Sequence, residues 1–251
     1  MTAIQAVILG IIQGLAEFLP VSSSGHLVLG EAALGLEGSD ITFEVIVHFG
    51  TLLAVLTGLR HRVLAIAAGA IRRDPDAWRM IGLLALASIP AAAVGLLFQD
   101  YFEAAFSSPA ATSGWLLVTG AVLWSTRNRT GGRTEIRALD ALLIGLSQAF
   151  AVLPGISRSG TTISTGLWRG VDGREAATFS FLLSIPVILG ATVLKVGTFL
   201  SRSPGWDAAL PLLVGMGAAY IAGVFAIRWL MAVLRSGRMD RFAYYCWALG
   251  L

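Results

Sequence analysis

Two stretches of sequence decide the fold: GIIQGLAEFLPVSSSG, residues 10–25, and GLSQAFAVLPGISRSG, residues 145–160. Laid on one another without a gap, they match at Gly10/Gly145, Gln13/Gln148, Ala16/Ala151, Ser22/Ser157, Ser24/Ser159 and Gly25/Gly160, all at an offset of 135 residues. Each closes an apolar run (3–19 and 139–153) with a Pro/Gly/Ser turn, and each turn leads into more apolar residues rather than a charged loop. A helix that stops at Pro or Gly and then resumes marks a broken or re-entrant segment. Downstream, Thr42-Phe43 answers Thr178-Phe179 at an offset of 136, and each pair opens a run long enough to span. A duplication whose halves enter the membrane from opposite faces is an inverted-topology repeat, with its working site where the two broken segments meet near the bilayer midplane. Repeat 1 then covers about 1–138 and repeat 2 about 139–251 of a single membrane domain.

Composition agrees. The 251 residues are 56% hydrophobic and 13% charged, with a mean hydropathy of +0.77, against about 45–50% apolar and about 25% charged in soluble domains. Too few charges remain to cover a globule of 26.4 kDa, so lipid must be the solvent for most of the surface. That excludes a cytosolic enzyme, a disordered chain and a secreted domain. The single Cys246 excludes an intrachain disulfide or a cysteine-built metal site. The net charge of +3 does not point to nucleic acid, because 17 of the 18 basic residues are Arg placed mostly between apolar runs. Apolar runs at 43–59, 80–98, 109–125, 176–199 and 208–234 are of spanning size. With the two re-entrant helix-turn-helix segments they predict an all-α polytopic membrane protein of about six transmembrane helices. No basic segment precedes residues 3–19, which argues against a cleavable signal peptide. Residues 243–251 are short for a full span, as a truncated final helix would be.

Orientation follows from the arginines. Arg60, Arg62, Arg72, Arg73 and Arg79 lie in the 60–79 connection and Arg127, Arg129, Arg133 and Arg137 in the 126–138 connection, whereas 99–110 carries Asp100 and Glu103 and no base. The first two are therefore cytoplasmic and the third external. If 139–165 dips into the membrane and returns, Arg169, Arg174, Arg235, Arg238 and Arg241 also fall inside, placing 14 of 18 bases on the cytoplasmic side. Residues 1–42 contain Glu17, Glu31, Glu37 and Asp40 but no Lys or Arg, so the first segment dips from the outside and returns there.

The two tips would gather Glu17, Ser22, Ser23, Ser24 and His26 from the first, and Ser157, Arg158, Ser159, Thr161 and Thr162 from the second. A charge at the centre of a membrane helix costs roughly 2.5–3.5 kcal/mol, so Glu17 and Arg158 require a partner or water. Gly25, Gly155 and Gly160 let the backbone approach a ligand closely. Serine hydroxyls, turn N–H groups and a guanidinium fork together make a phosphate cradle. The bland alternatives are packing or capping hydroxyls and a structural Glu–Arg bridge. His48 reads as a core or lining histidine, with a ligand role as the alternative, Glu44 as a carboxylate in the first turn of its helix that could also face the site, and Lys195 and Arg228 as snorkelling cations.

The segments QGLAEFLPVSSSGH (13–26), TFEV (42–45) and PGISRSG (154–160) resemble the signature motifs of the undecaprenyl-pyrophosphate phosphatase family, the integral-membrane bacitracin-resistance proteins. The similarity in motif order and hydropathy runs along nearly the whole chain. The resemblance implies hydrolysis of undecaprenyl pyrophosphate, the carrier lipid for peptidoglycan and other envelope glycans, in the bacterial inner membrane at a site open to the outer face. It also implies a divalent cation, Mg²⁺ or Ca²⁺. By matching position, the family's essential acid falls on Glu17, which is also the metal position, its serine on Ser23, its histidine on His26 and its arginine on Arg158. The family's first acidic position is Glu or Gln and here is Gln13, one carboxylate fewer. Gln13, Ser22, Ser24, Gly25, Ser157, Ser159, Gly160 and Thr161 are the candidate substrate-binding residues, and the expected partners are a polyprenyl pyrophosphate, membrane lipids and a homodimer mate.

Phosphoryl transfer asks the protein mainly to position the group and neutralise its charge. Arg158 would clamp the terminal phosphate, and Ser23 or His26 would attack, with Glu17 and His26 available as general base, leaving-group acid or metal ligand. Direct attack by water is the alternative. An inverted repeat with polar midplane tips is also the plan of a carrier, so a lipid-phosphate flippase is the rival reading.

Overall fold

The computed structural model describes residues 1–36, 41–97, 108–129, 131–201 and 206–251. Glu37, Asp40, Asp100, Glu103 and the side chain of Lys195 lie outside the described residues. The described residues are mainly helical, with one isolated backbone bridge between Arg133 and Val171. Its helices are α1 (Ala3–Phe18), α2 (Ser23–Ala33), α3 (Ile41–Gly58), α4 (Arg60–Ile71), α5 (Pro75–Leu97), α6 (Pro109–Trp124), α7 (Ala138–Phe150), α8 (Arg158–Trp168), α9 (Gly173–Ser201), α10 (Trp206–Arg235) and α11 (Phe242–Gly250).

The five runs of spanning size become α3, α5, α6, α9 and α10. Among the described residues α5 and residues 209–235 of α10 are long and apolar enough to cross a membrane, and α1, α6 and α7 are shorter apolar helices. The 60–79 connection differs from a loop. After Arg60 and Arg62 the sequence VLAIAAGAI is apolar and helix-forming, so it continues as α4, bent by 79° from α3 at Leu59. None of its side chains is buried.

Local sequence explains the two broken segments. Thr2 caps α1 in a reciprocal box with Gln5. The helix stops at Leu19, whose extended backbone (ψ 144°) is what the following Pro20 demands. Ser22 then caps α2 through the Gly25 N–H. In the second segment α7 ends at Phe150 ahead of Pro154-Gly155, and Ser157 caps α8 through the Gly160 N–H. The starts of α1 and α7, the starts of α2 and α8, and the ends of α2 and α8 all stand 135 residues apart.

Small residues bring the long helices close, as membrane packing requires where burial of apolar surface gives no drive. α1 packs along α10, and a Cβ on Gly10 would run into the Gly215 carbonyl; α7 packs along α5, and a Cβ on its counterpart Gly145 would run into the Ala87 carbonyl. Each first helix thus lies against a long helix from the other half of the chain. Phe43 and Phe179, the paired aromatic positions, are both buried, at 1% and 2% exposure. On the rim that carries the arginines, the fully buried Asp140 binds Arg133 (2.7 Å) and Arg169 (2.9 Å), tying the 126–137 connection to the end of α8. A buried carboxylate held by two guanidiniums is costly to break from either side.

Candidate active site

The two turns touch. A Cβ on Gly25 would sit 3.3 Å from the Gly155 Cα, and the Ser159 hydroxyl donates across to the Leu19 carbonyl at 3.0 Å. Gly155 has φ +95° and faces the Thr112 carbonyl. Only glycine fits there.

Glu17, at the end of α1, is the point on which both tips converge. Its Oε2 accepts the Ser23 hydroxyl at 2.6 Å and the Gln13 amide at 3.0 Å, and its Oε1 accepts Arg158 at 2.7 Å. Arg158 also donates to the Ser180 carbonyl of α9 at 2.9 Å, and Ser180 is held by the Thr162 hydroxyl at 2.7 Å. The carboxylate is buried, at 7% side-chain exposure, and the guanidinium is 18% exposed. Ion pairing is the partner that both charges need inside a membrane. A guanidinium bonded through one edge to a carboxylate retains further N–H donors, so Arg158 can hold a phosphate without leaving Glu17.

The remaining hydroxyls and turn amides build the frame. Ser22 and Ser157 cap their helices and lie 3.3 Å from Ser24 and Ser159 respectively, so the Gly25 and Gly160 N–H groups point at those caps. Thr161 donates back to the Ser157 carbonyl at 2.9 Å. His26 is part-buried beside this frame, with Nδ1 2.7 Å from the Ser22 carbonyl and Nε2 2.8 Å from the Tyr245 hydroxyl.

Two residues enter that sequence reasoning placed elsewhere or omitted. His48 is not merely a lining residue: its Nε2 stands 3.6 Å from Glu17 Oε2, with Nδ1 anchored on the Glu44 carbonyl at 2.7 Å. The TFEV segment just upstream was the available signal, but it does not give the rotation of α3. Tyr245 carried no motif at all. Arg228 is exposed on α10, in keeping with a snorkelling cation, and Glu44 lies in the first turn of α3.

A family model described as "Bacitracin resistance protein BacA" matches residues 6–251. The chain belongs to the BacA family. It is similar over 100% of its length to an undecaprenyl-diphosphatase of Carboxydothermus hydrogenoformans, at 43% identity and 96% coverage of that relative. An undecaprenyl-diphosphatase of Desulforapulum autotrophicum is 40% identical over 98% of this chain and 95% of its own length. A third, from Methanobrevibacter smithii, is 40% identical over 100% of this chain and 96% of its own. The BacA match spans both tips, so Glu17, Ser23 and Arg158 fall within the segment that carries the family's sequence.

Proposed function

We propose that this chain hydrolyses undecaprenyl pyrophosphate to undecaprenyl phosphate and inorganic phosphate, returning the carrier lipid to envelope glycan synthesis. The observation that carries the reading is the Ser23–Glu17–Arg158 constellation: a hydroxyl 2.6 Å from a carboxylate that is itself 2.7 Å from a guanidinium. A hydroxyl in that contact is activated by a general base, and the guanidinium is positioned to neutralise charge on a phosphoryl group. In this mechanism Glu17 accepts the Ser23 proton as Ser23 Oγ bonds to the terminal phosphorus, and the bond from that phosphorus to the bridging oxygen breaks. The proton passes to the departing lipid monophosphate. Water then bonds to the phosphorus of the seryl phosphate as Glu17 takes its proton, the Ser23 Oγ–P bond breaks, and the proton passes to Ser23 Oγ as phosphate leaves.

A divalent cation fits the donor set to a limited extent. Gln13 Oε1 is buried without a hydrogen-bond partner, one helical turn from the Glu17 carboxylate. A hard cation takes such oxygens together with substrate phosphate and water. Gln13 and Glu17 would hold it, and it would supply charge neutralisation on the pyrophosphate.

The architecture belongs to the same proposal: an inverted-topology repeat of about 1–138 and 139–251, with α1–α2 and α7–α8 as re-entrant segments and about six spanning helices. The common 135-residue offset of three helix boundaries and the reciprocal packing of α1 on α10 and α7 on α5 support it. The arginine distribution supports an inner-membrane orientation with the Arg-rich connections cytoplasmic and the site open outward. On that orientation, cysteine introduced at Arg129 is labelled by an impermeant thiol reagent from the cytoplasmic side only.

The test of function is phosphate release by the purified protein from undecaprenyl pyrophosphate. Release that is lost in Ser23→Ala supports the phosphatase. Lipid moving between leaflets without release, from every variant, would establish the flippase instead.

A further inference from the structure

His26 has both ring nitrogens engaged, and neither engages Ser23 or Glu17. Its Nδ1 lies 2.7 Å from the Ser22 carbonyl, which only accepts, so Nδ1 carries the proton. In neutral imidazole Nε2 is then an acceptor, and the Tyr245 hydroxyl 2.8 Å away donates to it. The two rings are parallel, with an interplanar angle of 7° and centroids 5.6 Å apart. Tyr245 comes from α11, 219 residues along the chain, and its neighbour Cys246 also reaches the first turn, with Sγ 3.7 Å from the Pro20 carbonyl.

The Ser22 carbonyl matters because Ser22 has φ +69°, a left-handed conformation that L-residues other than glycine rarely hold without help. That turn immediately precedes Ser23 and sets where its hydroxyl points. The carbonyl accepts twice from the same residue, from the His26 N–H at 3.1 Å and from Nδ1.

The second tip supplies an internal control. At the offset of 135, Thr161 stands where His26 does, and its hydroxyl donates to the Ser157 carbonyl at 2.9 Å. The side-chain-to-carbonyl bond is the same in both tips. Threonine does it without acid–base chemistry, over a Ser157 that has an ordinary φ of −76°.

We propose that His26 is a positioning residue rather than the acid or base of the reaction, and that Tyr245 is its unassigned partner. The Tyr245–His26–Ser22 relay holds the left-handed turn that presents Ser23 to Glu17. This rests on the phosphatase reading, in that its kinetic consequences are read as phosphate release.

The test compares His26→Ala, His26→Thr and Tyr245→Phe in the full-length protein, with undecaprenyl pyrophosphate as substrate. His26→Ala should lower kcat by about 10- to 100-fold with little change in KM, the scale of a misplaced reacting group. His26→Thr, which copies the second tip, should recover most of that loss. Tyr245→Phe keeps the ring and loses one hydrogen bond, so kcat should fall by about two- to tenfold, and the fall should vanish in the His26→Thr background. His26→Thr as inactive as His26→Ala, or His26→Ala as active as the parent, overturns the proposal. An independent readout needs no turnover: ¹⁵N-histidine spectra, with the His26 signals assigned by their loss in His26→Thr. They should show the Nδ1–H tautomer, with an Nε2 shift that moves in Tyr245→Phe. An Nε2–H tautomer indifferent to Tyr245 would overturn the proposal even where the parent releases no phosphate, and absence of release from the parent itself counts against the phosphatase reading instead.

Discussion

The two tips are built alike and equipped differently. In each, a serine caps the following helix, with the cap hydroxyl 3.3 Å from a second serine and the glycine N–H three residues on as its donor. In each, the residue after that glycine bonds back to the cap carbonyl. Yet the first helical position is Ser23 in one and Arg158 in the other, and Glu17 has Val152 as its counterpart. Side chains at equivalent backbone positions therefore meet on a single carboxylate, one bringing a hydroxyl and the other a cation. The two turns share a frame and differ at the first helical position and at the acid.

If the labour is divided this way, neither tip's special residue can be replaced by a near equivalent. Ser23→Ala should reduce kcat at least about a thousandfold, as loss of a nucleophile does. Arg158→Lys should cost about 10²–10³, close to Arg158→Ala, because an ammonium cannot bridge Glu17 and a phosphate as a fork does. Substrate binding, followed by lipid retention on immobilised protein, should fall much less in Ser23→Ala. A Lys variant with near-parental turnover would break the comparison at its most specific point.

The frame has its own asymmetry. Gly155→Ala places a side chain at φ +95° against the Thr112 carbonyl and 2.7 Å from the Trp115 Cβ, and should destabilise the folded protein in detergent by roughly 2–4 kcal/mol. Gly25→Ala meets its neighbours at 3.3 Å inside a regular helix, and the helix gain of about 1 kcal/mol offsets the squeeze. Its unfolding midpoint should stay near the parent's. Between these two and most alike should be the caps: Ser22→Ala and Ser157→Ala each remove one capping bond and should each cost about 1 kcal/mol in the same denaturation assay. A clear inequality between them would show that the left-handed turn at Ser22 draws more from its cap than the ordinary one at Ser157.

Much of this was legible in sequence. The apolar runs located α3, α5, α6, α9 and α10, and the gapless match at an offset of 135 residues located both turns and the pairing of Ser23 with Arg158 in register. Those signals are local or periodic, and a chain in lipid has few ways to satisfy its backbone other than as helix. The bend of 79° at Leu59 follows Gly58, but one glycine between two helix-forming runs does not set its angle. His48 on Glu17, Ser180 beneath Arg158 and Tyr245 on His26 are contacts between helices remote in sequence. They depend on how α3, α9 and α11 rotate about their axes when packed, which residue type and spacing alone do not specify.

The central claim is that both tips act on one phosphoryl group, Ser23 bonding to it while Arg158 holds it. Rapid acid quenching during turnover of undecaprenyl pyrophosphate labelled in its terminal phosphate tests this most directly. The account predicts protein-bound label on the peptide containing Ser23, formed no more slowly than phosphate is released, with both label and release lost in Ser23→Ala. Release of phosphate with no label on the protein, from a Ser23→Ala variant that turns over near the parental rate, would contradict it.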